Sequence, residues 1–482
     1  MNRIMRTIPN FRGQPANSSY FLHTRNGFFR TVTNNVFVRL PVLDIMVDRL
    51  RRIEESPLCD TAVVYVHHPL RTSLNLLDSM FSIGLDPKNT FVLGKHYSEN
   101  EWVVQETQRL GVHYQRCSAQ TVLGGFDETF SFDINSLWET VVEDLDKKIN
   151  IKNLLVLDHG GYAINFMPSS IQGRMNIVGL EKTSGGLINL VRQGCIPSFP
   201  LINMANCATK KVLESPLIAE AVVEKLSPVI PVSREPTTCG VIGYGSIGKA
   251  IAEKLLSLGH RVIIYDSDSS QLQSANLRKN FVSTSDLVSL VASADLLFGC
   301  SGQDVTKSVE AFRLSPRDKT LVSCSSGDRE FLTLLKLVQK NNTSGIAANP
   351  LDNVVYESDF GGKIKILRGG FPYNFDDTGE SVPANEIQLT RALVFAGVIQ
   401  AIDFFKNPTV VGKEGLYALD SGLQKFVVRE WLKLQPEDKL KNRYQPNQLS
   451  KFEDTDWIGE HSAGIQEPIN FTLETGANLK FY

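Results

Sequence analysis

Residues 239–248 read Cys239-Gly-Val-Ile-Gly243-Tyr-Gly245-Ser-Ile-Gly248, and the run Arg261-Val-Ile-Ile-Tyr-Asp266 ends on an acid 18 residues past the last of those glycines. The order is strand, tight glycine turn, helix, strand, carboxylate. Val241 and Ile242 are β-prone. Ile247, Ile251, Leu255 and Leu258 recur at helical spacing, and Gly259 supplies a stop. Each part has a task in holding a dinucleotide. Gly243 permits the turn, Gly245 lets the backbone approach a pyrophosphate, and Gly248 lets the helix lie close to its strand. Ser246 and Ile247 open the helix, where unpaired N–H groups and the positive dipole end face the phosphates. Asp266 is spaced to accept hydrogen bonds from a ribose and to repel a 2′-phosphate, which favours NAD over NADP. The plainer alternative is a βαβ unit that binds nothing.

Working outward, strand-like and helix-like segments alternate well upstream of this motif. Thr61–Val66, Thr90–Gly94, Val112–Gln115 and Asn153–Asp158 read as strands, with helices over 71–83 and 99–110. Downstream, a helix capped by Thr284 or Ser285 runs to about Ala294. Strands follow over 296–300, 320–324 and 363–367, the last closing that sheet. The fold class is therefore α/β, with two doubly wound parallel-sheet domains, the second a Rossmann unit. Ligands in such sheets sit at the carboxyl ends of strands, which marks Ser301, Gly302, Ser325 and Ser326, although loop serines are also common for no functional reason. Apolar residues at helical spacing over 385–404 predict a long helix returning to the first domain. The expected boundaries are an N-terminal arm over 1–36, a substrate domain over 37–222, the NAD domain over 223–372, the return helix over 373–406 and a C-terminal extension over 407–482.

At 482 residues with 42% hydrophobic and 21% charged residues, the composition is that of a soluble globular protein. A net charge of −2 gives no general attraction to nucleic acid or anionic membrane. The absence of a run of about 18 apolar residues argues against a spanning helix. Seven cysteines, none in a Cys-x-x-Cys pair, point to a reducing, cytoplasmic setting and to no metal site. Six arginines precede the first acid, Asp44. Such a segment suits either a transit peptide or, more plainly, an arm on a cytosolic protein.

Several further stretches fall in a meaningful order. They are Leu40-Pro-Val-Leu43, Val66-His-His68, Leu157-Asp-His-Gly-Gly161, Gly179-Leu-Glu-Lys-Thr-Ser-Gly-Gly186, Asn203-Met-Ala-Asn-Cys-Ala-Thr-Lys210, Gly243–Lys249 and Leu321-Val-Ser-Cys324. The series resembles the S-adenosylhomocysteine hydrolase family over roughly residues 37 to 405, most closely in the glycine segment. That resemblance implies a substrate domain wrapped around a Rossmann domain, a homodimer or homotetramer, and tightly held NAD. In the family, NAD oxidises a ribose hydroxyl to a ketone, a thiol is eliminated, water adds, and the ketone is reduced again.

Carried over residue by residue, the resemblance makes Lys210 and Glu214 a proton relay beside that hydroxyl. Their i,i+4 spacing equally suits a surface ion pair. It makes His67, or its neighbour His68, a proton carrier, against the alternative of a satisfied loop histidine. Thr183 and Ser184 become NAD contacts from the substrate domain, and Asn374 falls near the nicotinamide amide. The departures share a direction. Positions that are acidic in the family are His159 and Lys182 here, and Arg71 stands where an acidic or amide side chain meets adenine. Ser215 replaces an asparagine, Pro69 a threonine, and Asp328 falls near a family histidine. The adenine loop has become Thr378–Pro383, and Lys480 and Tyr482 only faintly match the terminal lysine and tyrosine.

This sign reversal points to a small anionic substrate, with Lys182 and Arg71 as its contacts and His159 among the catalytic residues; charge drift in a decayed site is the alternative. Three functions stay open on the sequence. One is an adenosylhomocysteinase-like NAD enzyme acting on another nucleoside or sugar. The others are a genuine S-adenosylhomocysteine hydrolase and a non-catalytic NAD-binding regulator.

Overall fold

The computed structural model describes residues 20–23, 29–32, 38–118, 123–195, 197–229, 236–277, 281–307, 309–341, 349–376, 378–407 and 415–444. The chain forms two compact units, Met1–Arg39 and Leu40–Tyr482. In the first, β1 (Tyr20–His23) and β2 (Phe29–Val32) pair antiparallel, Tyr20 facing Val32. The Lys480–Tyr482 match and most of the expected extension lie outside the described residues.

The second unit holds two seven-stranded sheets. The first contains β3 (Thr61–His67), β4 (Thr90–Gly94), β5 (His113–Gln115), β6 (Asn153–Asp158), β7 (Asn176–Glu181), β8 (Pro200–Asn203) and β16 (Gly415–Ala418). Its order is β5-β4-β3-β6-β7-β8-β16, all parallel. The second contains β9 (Thr238–Ile242), β10 (Arg261–Tyr265), β11 (Val282–Thr284), β12 (Leu296–Gly299), β13 (Lys319–Ser323), β14 (Val354–Glu357) and β15 (Lys363–Ile366), in the order β11-β10-β9-β12-β13-β15-β14. Only β14 runs antiparallel there. Among the parallel strands each order reverses once, between β3 and β6 and between β9 and β12. Each sheet therefore opens a ligand crevice at the carboxyl ends of those strands.

Helices on both faces explain why β3, β4 and β6 are buried along their whole length. Val63, Tyr65 and Leu155 pack under one layer with Leu43, Leu77 and Leu393, while Val64, Val66 and Val156 pack under Phe130 and Trp138. The return helix spans Ala384–Lys406. It is long and apolar enough to cross a membrane by composition, yet 78% of its apolar window is buried, which makes it a core helix of this layer.

Three expectations need amending. The helix Leu287–Ser293 is capped by Asp286, whose carboxylate accepts from Val288 and Ser289 N–H, rather than by Thr284 or Ser285. The strand expected last, over 363–367, is the last of the second sheet in chain order, but the sheet's edge is β14 just before it, whose alternating burial is too short to stand out in sequence. Residues after Lys406 do not leave the fold at once: β16 pairs with β8, and the helix Ser421–Leu432 buries Val427, Val428 and Trp431 in the first core.

Candidate functional site

The glycine loop has the geometry its spacing implies. Gly243 has φ +96°, and a Cβ on it would lie 2.8 Å from the Cys300 carbonyl carbon. On Gly248 a Cβ would lie 1.8 Å from the Gly243 oxygen, so the helix Ser246–Ser257 can approach β9 only because position 248 has no side chain. Around Gly245 nothing lies within 4 Å of a built Cβ. That open space sits at a helix N-terminus that no side chain caps, a cradle for phosphate. Ile247 packs against the Rossmann core and anchors the helix. Asp266, at the end of β10, accepts from Tyr244 N–H at 2.6 Å and Asp268 N–H at 2.8 Å. It braces the glycine loop while presenting a carboxylate beside it.

Ser301 follows β12 as expected, but its hydroxyl donates to Glu330 Oε2 at 2.9 Å. The other Glu330 oxygen accepts from Gly302 N–H and from the Ser325 hydroxyl. Burial pushes Glu330 up to about 7. This carboxyl is a strut tying the loops after β12 and β13, and it engages the very Ser301 hydroxyl expected to contact the cofactor. Sequence reading missed Glu330. The only available signal was the pair of serine-bearing loops that it joins.

Across the crevice, the chain places His68 rather than His67 in contact with His159. Side chains alternate along β3, so Tyr65 and His67 share one face and His68 emerges on the other. His68 Nδ1 lies 2.6 Å from Ser98 Oγ, and its Nε2 lies 3.1 Å from His159 Nε2. His159 Nε2 in turn lies 3.2 Å from Ser326 Oγ, in the loop after β13 of the second sheet. A proton must sit between the two facing imidazole nitrogens, which makes a short relay from one sheet to the other. Burial and nearby Lys95 hold both rings well below the usual imidazole range. His67 is instead stacked on Tyr65 at 4.1 Å, and among the described residues its ring nitrogens have no partner of good hydrogen-bond geometry.

Lys95, another residue the sequence did not flag, follows β4 fully buried, with Nζ 5.2 Å from the Tyr162 ring centre and no hydrogen-bond partner among the described residues. Burial, with Arg329 nearby, pushes it down to about 7. Asp158 accepts from His159 and Ile164 N–H and is raised to about 7 by burial and Glu181. Glu181 accepts from Gly160, Gly161 and Thr183 N–H and from the Thr183 hydroxyl at 2.6 Å. The Thr183 oxygen also caps the helix Ser184–Arg192 through Gly186 N–H, so it is engaged within its own lobe, while Ser184 is exposed at that helix start.

Lys210 and Glu214 form an ion pair at 2.9 Å on a π-turn, a wide helical turn frequent at functional sites. Lys210 is close enough to His159 to depress its basicity. Lys182 is buried, donates to the Val66 carbonyl at 3.3 Å and lies 4.5 Å from the Tyr65 ring centre. Arg71 lies under the 378–383 loop, its N–H donating to the Gly379 carbonyl at 2.9 Å. Asn374 is buried, its carbonyl accepting from Lys225 at 2.9 Å. Between the sheets, Arg329 binds Asp127 at 2.5 Å and donates to the Tyr162 hydroxyl at 2.7 Å. Asp328, raised to about 7 by burial, accepts from Phe126 N–H.

Residues 238–327 match the family model described as NADP oxidoreductase, coenzyme F420-dependent. The second sheet is a nicotinamide-dinucleotide domain. Two uncharacterized proteins of Mycobacterium tuberculosis, from strains CDC 1551 / Oshkosh and ATCC 25618 / H37Rv, are 27% identical over 363 residues, 74% of this chain and 67% of theirs. Among solved structures, a dipicolinate synthase of Bacillus halodurans is 10% identical with a TM-score of 0.34, over 58% of this chain and 88% of its own. A 2-hydroxyacid dehydrogenase of Ketogulonicigenium vulgare is 14% identical with a TM-score of 0.31, over 64% and 94%. Likenesses this weak carry no argument about activity.

Proposed function

We propose that this chain is an NAD-dependent, adenosylhomocysteinase-like enzyme that transiently oxidises a hydroxyl of a nucleoside or sugar-type substrate. One observation carries the reading: the 3.2 Å contact between His159 and Ser326 brings the proton-handling groups of the first sheet against the carboxyl edge of the dinucleotide sheet. When bound, the nicotinamide would accept the hydride. The protein's share is binding and proton transfer. The Gly243–Gly248 loop and its helix terminus hold the pyrophosphate, and Asp266 holds the ribose and disfavours a 2′-phosphate. Lys210, held by Glu214, takes the hydroxyl proton as the hydride leaves. His68 and His159, kept neutral by burial, take the proton that the transient ketone acidifies on the neighbouring carbon, pass it along their shared hydrogen bond and return it before the ketone is reduced again.

The same contact also favours a second reading, a non-catalytic NAD-binding protein. Ser326 meets His159, and Arg329 bridges the sheets through Asp127, so the crevice rests closed. Purified protein is analysed for released dinucleotide. The holo-protein is then mixed with adenosine, S-adenosylhomocysteine and a panel of nucleotides and sugar acids while the reduced-nicotinamide absorbance is followed. Absorbance growth without thiol release supports the divergent enzyme, and homocysteine release makes it a true hydrolase. Bound NAD that no substrate reduces leaves the regulator.

A further inference from the structure

On the face of β3 opposite His68, four side chains from three distant parts of the chain meet with much of their hydrogen-bonding capacity unspent. Tyr65 and His67 come from β3, Lys182 follows β7, and Arg391 projects from the middle of the return helix. All are buried, with exposures of 0%, 1%, 5% and 7%. Arg391 Nε donates to Thr72 Oγ1 at 2.9 Å, and the one bond of Lys182 Nζ is the 3.3 Å contact to the Val66 carbonyl. Among the described residues neither cation is ion-paired with a carboxylate. Among the described residues the Tyr65 hydroxyl, beside the Arg391 side chain, and both His67 nitrogens lack partners of good hydrogen-bond geometry.

Glu380, the acid of the overlying loop, gives one oxygen to Thr72 N–H; its carboxyl feels the Arg391 charge without an ion pair to it, and burial outweighs that charge and raises it above the ordinary range. The two cations repel each other, and each lowers the basicity of His67. Two buried basic groups without an ion pair, beside spare donors, are unfavourable as charged groups, and burial already disfavours the charged form of Lys182, unless an acceptor-rich group joins them. An oxyanion satisfies all of them at once, because it accepts several charge-assisted bonds from planar and point donors together. The cluster lies where β3 and β7 end, on the ligand-binding edge of the sheet.

We propose that Tyr65, His67, Lys182 and Arg391 form an oxyanion subsite that holds the phosphate or carboxylate of the substrate. This rests on the reading that the crevice takes a substrate, and it extends that reading to a substrate class. His67 thereby has a binding role, while His68 has the proton-transfer role.

The test is thermal unfolding of wild type, R391Q and Y65F with inorganic phosphate or acetate, with and without NAD, against chloride at matched ionic strength. Y65F deletes one hydroxyl and keeps the packing, so it stays folded even where R391Q does not. The glycine loop is identical in all three proteins, so differences between them read this subsite alone. Wild type is stabilised by phosphate, acetate or both, and which one names the substrate's acid. Y65F weakens apparent binding about tenfold or more, as expected for losing a hydrogen bond to a charged group. Equal stabilisation of all three proteins, or none beyond chloride, overturns the subsite. Neither result depends on nicotinamide reduction, so the subsite and the proposed chemistry fail separately.

Discussion

Two glycines in one loop separate folding from binding, and alanine at each should have opposite effects. At Gly248 the new methyl would lie 1.8 Å from the Gly243 oxygen, so the helix must move away from β9. Overpacking of this kind costs about 1–3 kcal/mol. At about 2–4 °C per kcal/mol for a domain of this size, G248A lowers Tm by about 2–12 °C. At Gly245 nothing lies within 4 Å, and its φ of −72° with ψ −165° is open to alanine. The loss of chain freedom in the unfolded state and the poorer helix cap roughly offset, so the stability of G245A stays within about 1 kcal/mol of wild type. Its methyl, however, occupies the space a pyrophosphate must enter, and NAD binding weakens at least about tenfold, or 1.4 kcal/mol. Thermal melts with and without NAD, with calorimetric titration, read both effects. G245A that binds NAD as well as wild type would refute the phosphate cradle, and an unperturbed Tm in G248A would refute the close helix packing.

Three further outcomes follow from the site. D266N, which keeps one acceptor for the loop and removes the charge, shifts the NADP-to-NAD affinity ratio toward NADP by about tenfold in competition titrations, and an unchanged ratio speaks against the ribose role. K210M retains NAD yet slows substrate-dependent reduction by about 10²–10⁴ in stopped-flow absorbance; full activity would remove Lys210 from the proton path. Lys95 is pushed from 10.5 down to about 7. Between those values the unfolded chain binds a proton that the folded chain lacks, so this group makes stability rise with pH there. The Tm of K95M relative to wild type is therefore more favourable at pH 6.5 than at pH 10, and a difference independent of pH shows that Lys95 is not held neutral by the fold.

Much of the architecture was legible because it is local. The glycine spacing specifies a backbone path, and the apolar runs of β3, β4 and β6 specify strands covered on both faces. The weak edges were not legible: β14 and β16 are four residues each and owe their pairing to strands already formed. Within the site, Lys182, His159 and the Lys210–Glu214 pair were picked out by the family resemblance, as departures from its pattern or matches to it. Arg391 did not, because it sits in an apolar helical pattern that marks core. Lys95 and Glu330 did not, because a lone lysine or glutamate gains meaning only when burial shifts its proton affinity.

By itself, the sequence determined two doubly wound sheets and a dinucleotide loop, since glycine placement and hydrophobic period act over a few residues. Only the tertiary structure decided which histidine meets His159 and which buried basic groups lack an ion pair. The pleat of β3 turns His68 toward His159 and His67 away, and packing of the return helix brings Arg391 to Lys182 across 209 positions of chain. Those outcomes depend on burial and on distance through space, and neither is written in the neighbouring residues.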